Sequence, residues 1–158
     1  MKIKSLFKFF SSKGFTLIEL LIVIAILGVL AAGILVAIDP VDKINAANDS
    51  KVQNDVSATG RASEAYVVTH NGLYPFALVN LETSGELKKV PTAPSGYTAY
   101  AAVVPATCTA ENDVDCISIV ITGQLKAKRY TSVGTPVWRY ESSTGKSCAV
   151  ATTTTACP

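Results

Sequence analysis

The sequence predicts an α+β fold: a long N-terminal α-helix, membrane-spanning in its first half, with a small antiparallel β-sheet domain packed on its outer half. Three observations predict it. Residues 15–38 are an apolar run of 24 residues in which only Glu19 is ionisable. Residues 39–71 turn polar but keep a modest apolar stripe at three- and four-residue spacing. Beyond residue 95 come short runs of alternating β-branched and aromatic residues, divided by Gly, Pro and polar turns.

The first element is a basic leader, residues 1–14, with Lys2, Lys4, Lys8 and Lys13 and no acidic residue. Lysines before an apolar run favour a cytoplasmic N-terminus, so the rest of the chain faces outward. The apolar run follows. At about 1.5 Å per residue, a helix over 15–38 is long enough to cross a hydrocarbon core of roughly 30 Å. Gly28 and Ala32 are four apart, as are Gly33 and Ala37. That spacing of small residues lets helices approach closely in lipid, although ordinary Ala and Gly usage in a membrane span gives the same pattern.

Glu19 is the anomaly in this run. A carboxylate in lipid is unfavourable by about 2.5–3.5 kcal/mol near a helix centre and by less near an end. It needs a partner, and the surrounding sequence supplies none. A cut between Gly14 and Phe15 would create one, because the new α-amino group would lie four residues from Glu19. A neighbouring subunit could offer its own amine to the same carboxylate.

Gly14, Phe15, Thr16, Leu17, Ile18 and Glu19, followed by an apolar helix, resemble the type IV prepilin motif, shared by type IV pilins and the pseudopilins of type II secretion. The resemblance covers residues 13–74 well and the remainder only in general layout. It implies cleavage after Gly14 by a membrane aspartyl peptidase, the prepilin peptidase, and N-methylation of Phe15. It implies that Glu19 sets subunit registry during filament assembly. The competing explanations fit less well. A secretory signal peptide has an apolar core of about 7–15 residues and a small-residue cleavage site. Ala31, Ala32 and Gly33 fit such a site, but the apolar run continues past them and Glu19 interrupts the core. A plain single-span anchor explains the length and not Glu19.

The chain has 158 residues, which suits one domain plus a membrane segment. Four of its 14 Lys and Arg lie in the leader, leaving 10 against 12 Asp and Glu. A nearly neutral mature chain carries no electrostatic footprint for nucleic acid. Cys108, Cys116, Cys148 and Cys157 all lie in the outward half, and an even count in a small exported domain reads as two disulfides. Four cysteines allow three pairings. The sequential one, Cys108 with Cys116 and Cys148 with Cys157, is favoured because each pair brackets a polar loop. The second pair also resembles the C-terminal disulfide region of many pilins.

Asp39, Pro40, Val41 and Asp42 predict a break or kink, with Asp39 as cap and Pro40 as first residue of a continuing helix. In that helix Ile44, Val52, Val56, Thr59, Ser63 and Tyr66 form the stripe expected to lie under the globular part. Asp42, Lys43, Asp49, Lys51, Asp55 and Arg61 occupy other faces and are expected in solvent. Asn71 and Gly72 stop the helix, and Gly72 is expected to turn left-handed so that Tyr74 returns to the core. The run from Asn71 to Pro75 also resembles a step that follows the long helix in many pilin-like sequences.

Residues 76–95 are expected as a connecting loop with a short helical turn at 77–81. Strands are expected at 97–104, 116–122, 136–141 and 146–150. The second would extend through 124–130 past a bulge at Gly123, and Ser143, Thr144 and Gly145 would join the last two. The domain division is therefore 1–14, 15–38, 39–71 and 72–158.

Three further constellations bear on function. Glu111, Asn112, Asp113 and Asp115 put three carboxylates and an amide in one loop, with Asp113 and Asp115 as calcium candidates. Some pseudopilins hold calcium in their C-terminal domain, but this spacing matches no EF-hand and a solvated turn is the simpler account. Lys126, Lys128, Arg129 and Arg139 lie near Tyr130 and Trp138, a mixture that contacts single-stranded DNA in uptake pilins; the exposed face of a strand pair with one aromatic anchor is the simpler account. His70 is the only histidine, so no zinc or triad chemistry is expected of it, and no cofactor or enzymatic activity is expected of the chain.

The expected function is that of a type IV pilin subunit, processed by prepilin peptidase and polymerised into a helical homopolymer for adhesion, motility or DNA uptake. The alternatives are a pseudopilin of a type II secretion system and a non-polymerising, single-span, membrane-anchored binding domain. The expected partners are copies of itself, the peptidase, the assembly machinery and, before assembly, membrane lipid. The expected location is the cytoplasmic membrane, N-terminus inside, and then an extracellular pilus or periplasmic pseudopilus.

Overall fold

A computed structural model describes residues 14–110, 113–131 and 134–158. The chain divides into two compact units, one ending at Asp39 and the other running Pro40–Pro158.

The first unit is the helix α1, Leu17–Ile38, in which no residue is buried. It is apolar on every side, as expected of a helix surrounded by lipid or by other helices. It is long and apolar enough to cross a membrane. It starts two residues later than Phe15 because Thr16 is its N-cap, with extended backbone (φ −77°, ψ 152°). It ends at Asp39, whose backbone is left-handed (φ 48°, ψ 72°). The sequence expectation that Asp39 would cap the next helix is thus corrected. An N-cap needs extended backbone, and Asp39 instead closes α1 in the conformation that ends many helices.

The second unit is built on α2, Pro40–Thr69. Pro40 takes the first position, where its missing N–H costs no hydrogen bond. Val52, Val56, Thr59, Ser63 and Tyr66 are buried as the stripe predicts. The buried hydroxyls are satisfied locally: Thr59 donates to the Asp55 carbonyl at 2.7 Å and Ser63 to the Thr59 carbonyl at 3.0 Å. Ile44 is not buried; it is 61% exposed. Asn71 (φ 54°) and Gly72 (φ 84°) both turn left-handed after α2, and Tyr74 packs on the core beyond them. The short helix α3, Leu78–Thr83, follows, and its Leu81 packs with Ala62 and Tyr66 in a satellite cluster.

Four strands form one antiparallel meander in the order β1-β2-β3-β4. They are β1 Ala101–Val103, β2 Val120–Gln124, β3 Val137–Glu141 and β4 Lys146–Val150. The pairing sets Ile121 opposite Tyr140, Gly123 opposite Trp138 and Arg139 opposite Cys148. Val52 and Val56 of α2 meet Ile119, Ile121, Leu125 and Tyr140 to form the main core. Each such aliphatic side chain contributes about 1.5–3 kcal/mol on burial.

Two glycines set how closely α2 and the sheet approach. A Cβ on Gly60 would lie 2.7 Å from the Tyr140 ring, and one on Gly123 would lie 2.6 Å from Val52 Cγ1. Gly123 is therefore not a bulge, as expected from the sequence, but a paired strand residue at the closest point of contact.

The other strand expectations need trimming. The first strand is only three residues long, and Ile117 lies in irregular chain after the turn at 114–115, 68% exposed, outside the alternation of Ile119 and Ile121. The second strand does not extend through 124–130. The chain leaves the sheet there and forms a short helical turn, α4, Lys128–Thr131. Carboxylates of α2 draw it away. Asp49 accepts from the amides of Lys126 and Ala127 at 2.9 and 2.8 Å, and Asp42 accepts from the Lys128 amide at 2.7 Å.

Candidate functional site

The Glu19 site is built from one turn of chain. Gly14 and Phe15 are exposed, and among the described residues nothing lies within 4 Å of the position a Gly14 Cβ would take. Thr16 and Glu19 cap α1 reciprocally. Glu19 Oε2 accepts from the Thr16 amide at 2.8 Å and from its hydroxyl at 2.7 Å, while Thr16 Oγ accepts from the Glu19 amide at 3.3 Å. Three things follow physically. The carboxylate folds back toward the start of the chain and not outward along the helix. It satisfies a backbone donor that α1 leaves without an intrahelical partner. It also sits at the positive end of the helix dipole, which favours negative charge. Past Glu19, the helix carries no charged side chain to Ile38. Lys2, Lys4, Lys8 and Lys13 of the leader lie outside the described residues.

The cysteines form two disulfides, Cys108–Cys116 with Cα atoms 4.8 Å apart and Cys148–Cys157 with Cα atoms 5.8 Å apart. The second ties the tail beyond β4 back to that strand. Arg139 adds to this tie, since one guanidinium nitrogen donates to the Thr153 carbonyl while its Nε pairs with Glu141 at 2.6 Å.

Of the calcium candidates, Asp113 has both oxygens engaged by its own loop. Oδ2 accepts from the Thr109 amide and hydroxyl at 3.0 and 3.1 Å, and Oδ1 from the Asp115 amide at 3.2 Å. Those donors, led by the Thr109 amide, hold its carboxyl below the usual aspartate value. Glu111 and Asn112 lie outside the described residues. Among the described residues, no group of three or more His, Cys, Asp or Glu side chains is arranged to hold a metal ion.

The basic and aromatic residues singled out in the sequence do not form one surface. Arg139 is committed to Glu141 and the tail, and Lys126 donates to the Gly96 carbonyl beside the Tyr97 ring. Lys128 and Arg129 are the exposed members, with Arg129 stacked over Tyr130 at 4.7 Å. His70 stacks on Tyr66 at 3.6 Å, and its Nδ1 lies 3.0 Å from the Tyr66 carbonyl oxygen, a helix-end arrangement.

Sequence reasoning missed a set of carboxylates on α2 that hold the domain together. Asp49 was expected in solvent and is wholly buried. It accepts from the Tyr97 hydroxyl at 2.8 Å as well as from the two amides near α4. Asp55 accepts from Tyr100 at 2.6 Å, and Glu64 accepts from both Tyr74 and Tyr140. Burial first, and these carboxylates second, push the hydroxyls of Tyr97, Tyr100 and Tyr140 above the usual tyrosine value. One signal for Asp49 was present: it stands three residues before Val52, on the spacing of the buried stripe.

Residues 10–35 match the family model described as the prokaryotic N-terminal methylation motif. Comparison with curated proteins and comparison with solved structures each found no match. The matched stretch contains Gly14, Phe15, Thr16, Glu19 and most of α1, so the motif falls on the one turn whose geometry is described above.

Proposed function

We propose that this chain is a type IV pilin subunit. Residues 1–14 are removed by prepilin peptidase between Gly14 and Phe15, the Phe15 amine is N-methylated, and the mature chain polymerises into an extracellular filament. The observation that carries this reading is the lone carboxylate of Glu19, folded back on Thr16 at the head of an uncharged helix, inside a matched methylation motif.

The mechanism follows from where charge can reside. While α1 lies in the cytoplasmic membrane, the Thr16 amide and hydroxyl offset part of the cost of Glu19 in an apolar surrounding. Cleavage adds a cation at Phe15. In a filament, the carboxylate of one copy meets the amine of a neighbour, and α1 exchanges lipid for the α1 helices of other copies. A repeated head-to-tail contact of this kind does not close on itself and so builds a helical fibre. The disulfide-tied unit Pro40–Pro158 then faces outward.

Mass spectrometry of the mature N-terminus tests the processing step. The expected species begins at a methylated Phe15. A chain beginning near Ala32, or one retaining Met1, overturns the reading. Long surface filaments containing the chain distinguish a pilin from a pseudopilin, for which only short periplasmic assemblies are expected. A processed chain that never polymerises would instead be a membrane-anchored domain.

A further inference from the structure

We propose that a groove in the unit Pro40–Pro158 receives a clamped loop from a second copy of this chain. The groove encloses about 320 Å³ and is lined by Leu78, Val90, Pro91, Ala93, Tyr97 and Tyr100, among others. The Tyr97 hydroxyl is taken by Asp49 at 2.8 Å and the Tyr100 hydroxyl by Asp55 at 2.6 Å, so the two tyrosines offer the groove mainly their rings. Exposed Lys88 and Lys89 lead directly into Val90, and among the described residues neither is paired with a carboxylate. The nearby carboxylates are committed elsewhere. Asp55 also pairs with Lys51 at 2.5 Å, and Glu82 accepts from the Val90 amide at 3.2 Å. Glu86, two residues before Lys88, tempers the positive rim.

The loop with the matching chemistry is the one closed by Cys108–Cys116. Val114 and Ile117 are 78% and 68% exposed, although both are aliphatic, and exposed Asp115 stands between them. The loop is fixed before any contact. Asp113 accepts from the Thr109 amide and hydroxyl and from the Asp115 amide, and the Cys116 carbonyl accepts from the Tyr74 amide at 2.7 Å. A preorganised loop loses little freedom on docking. In the contact, Val114 enters the groove and Asp115 meets Lys88 and Lys89. An exposed ion pair contributes little alone, so the affinity comes from the aliphatic side chain and the charges decide which surfaces meet. Groove and loop are different surfaces, so each copy can fill one neighbour and receive another, a head-to-tail contact.

This inference concerns the unit Pro40–Pro158 and rests neither on cleavage after Gly14 nor on filament formation. The test uses the full chain, half of it labelled with nitrogen-15, reconstituted densely in lipid vesicles. A carbodiimide then joins carboxylates to amines already in contact, releasing a urea. The expected product is an Asp115 peptide joined to a Lys88 or Lys89 peptide of the other isotope. V114S should lower its yield at least about fivefold although every charge is intact, because the buried aliphatic group is gone. Raising salt should lower it as well. In the triple variant D115K/K88E/K89E the charges are exchanged, and coupling between the same positions should persist. No such product, a product of matched isotopes only, or a yield that V114S leaves unchanged overturns the proposal. All four substituted side chains are exposed, and the result with the unaltered chain stands independently of the variants. The mature N-terminus, read separately by mass spectrometry, reports on the pilin reading, so the two fail separately.

Discussion

The Tyr97 hydroxyl donates to Asp49 Oδ1 at 2.8 Å, joining the sheet-side chain to α2 across 48 residues of sequence. The same carboxylate takes the amides of Lys126 and Ala127, so one side chain holds three donors from two segments. Asp55 and Glu64 repeat the arrangement further along α2 with Tyr100, Tyr74 and Tyr140. The helix–sheet interface is therefore an aliphatic core bordered by carboxylate–tyrosine pairs.

Replacement of Asp49 by Ala should be among the most destabilising single changes in the unit Pro40–Pro158. The Lys126 and Ala127 amides lose their acceptor and the Tyr97 hydroxyl keeps only the Asn45 carbonyl, at 3.2 Å; a buried donor left unsatisfied costs about 1–3 kcal/mol. A loss of roughly 3–5 kcal/mol is expected in chemical denaturation, since neighbouring groups recover part of the sum. D49N should fall between, because it keeps one acceptor oxygen but turns an NH2 group toward backbone donors. A D49A unfolding curve within 1 kcal/mol or so of the unaltered chain would contradict the bonding described.

The tyrosines predict the response to alkali. Tyr97, Tyr100 and Tyr140 have folded-state values raised by burial and by their carboxylate partners, whereas an unfolded tyrosine ionises near 10. Above that pH the unfolded chain loses protons that the folded chain keeps, so stability falls as pH rises; below it these groups leave stability unchanged with pH. Tyrosinate absorbance should therefore show at least three of the six tyrosines ionising only together with loss of ellipticity. Independent ionisation of all six near pH 10 in a folded chain would refute the packing assigned to them.

Much of this architecture was legible before the structure. The 24-residue apolar run, the stop at Asn71 and Gly72, and the last hairpin with β4 at Lys146–Val150 follow from period and turn chemistry. What could not be read are features that depend on contacts between distant segments. Gly123 looked like a bulge because a lone glycine in a strand reads that way, but its reason is Val52 on α2. Residues 124–130 looked like more strand because nothing local shows that Asp49 and Asp42 will take their amides. At the Glu19 site a signal went unread: Thr16 and Glu19 stand three apart before an apolar run, the spacing of a capping box, and the structure folds the carboxylate onto Thr16 accordingly.

The two interface glycines should respond to Ala with the sign opposite to propensity. In an open helix position, Gly→Ala gains about 1 kcal/mol. At Gly60 the new methyl would meet the Tyr140 ring at 2.7 Å, and at Gly123 it would meet Val52 Cγ1 at 2.6 Å. Overpacking of this kind costs about 1–3 kcal/mol. G60A and G123A should each lower the midpoint of thermal unfolding. For G123A, adding V52A should recover part of the loss; additivity of the two changes would mean that they do not touch.

The tail beyond β4 depends on its disulfide. Cys148 and Cys157 close a short loop, for which the chain-entropy account gives about 2.5–3 kcal/mol. The paired C148S/C157S variant should lose about that much stability and should become protease-sensitive beyond Val150, while β2 and β3 amides stay protected from exchange. If protection is lost evenly across the sheet, the bond supports the whole domain and not only its end.

Glu19 caps α1, and the proposed function gives it a second role that substitution can separate from the first. As a cap it needs only an acceptor oxygen, which Gln also supplies to the Thr16 amide. As the partner of a neighbour's amine it needs charge, which Gln lacks. E19A should lose both, weakening the first turn of α1 by about 0.5–2 kcal/mol. E19Q should keep the turn and lose the charge. Both variants should still insert in the membrane, since removing a carboxylate from an apolar helix favours insertion. The proposed filament function predicts that both fail to form filaments, and that E19Q keeps the helical start of α1 by amide exchange in detergent. Filaments at the unaltered level from E19Q would reduce Glu19 to a cap and remove the electrostatic basis of assembly.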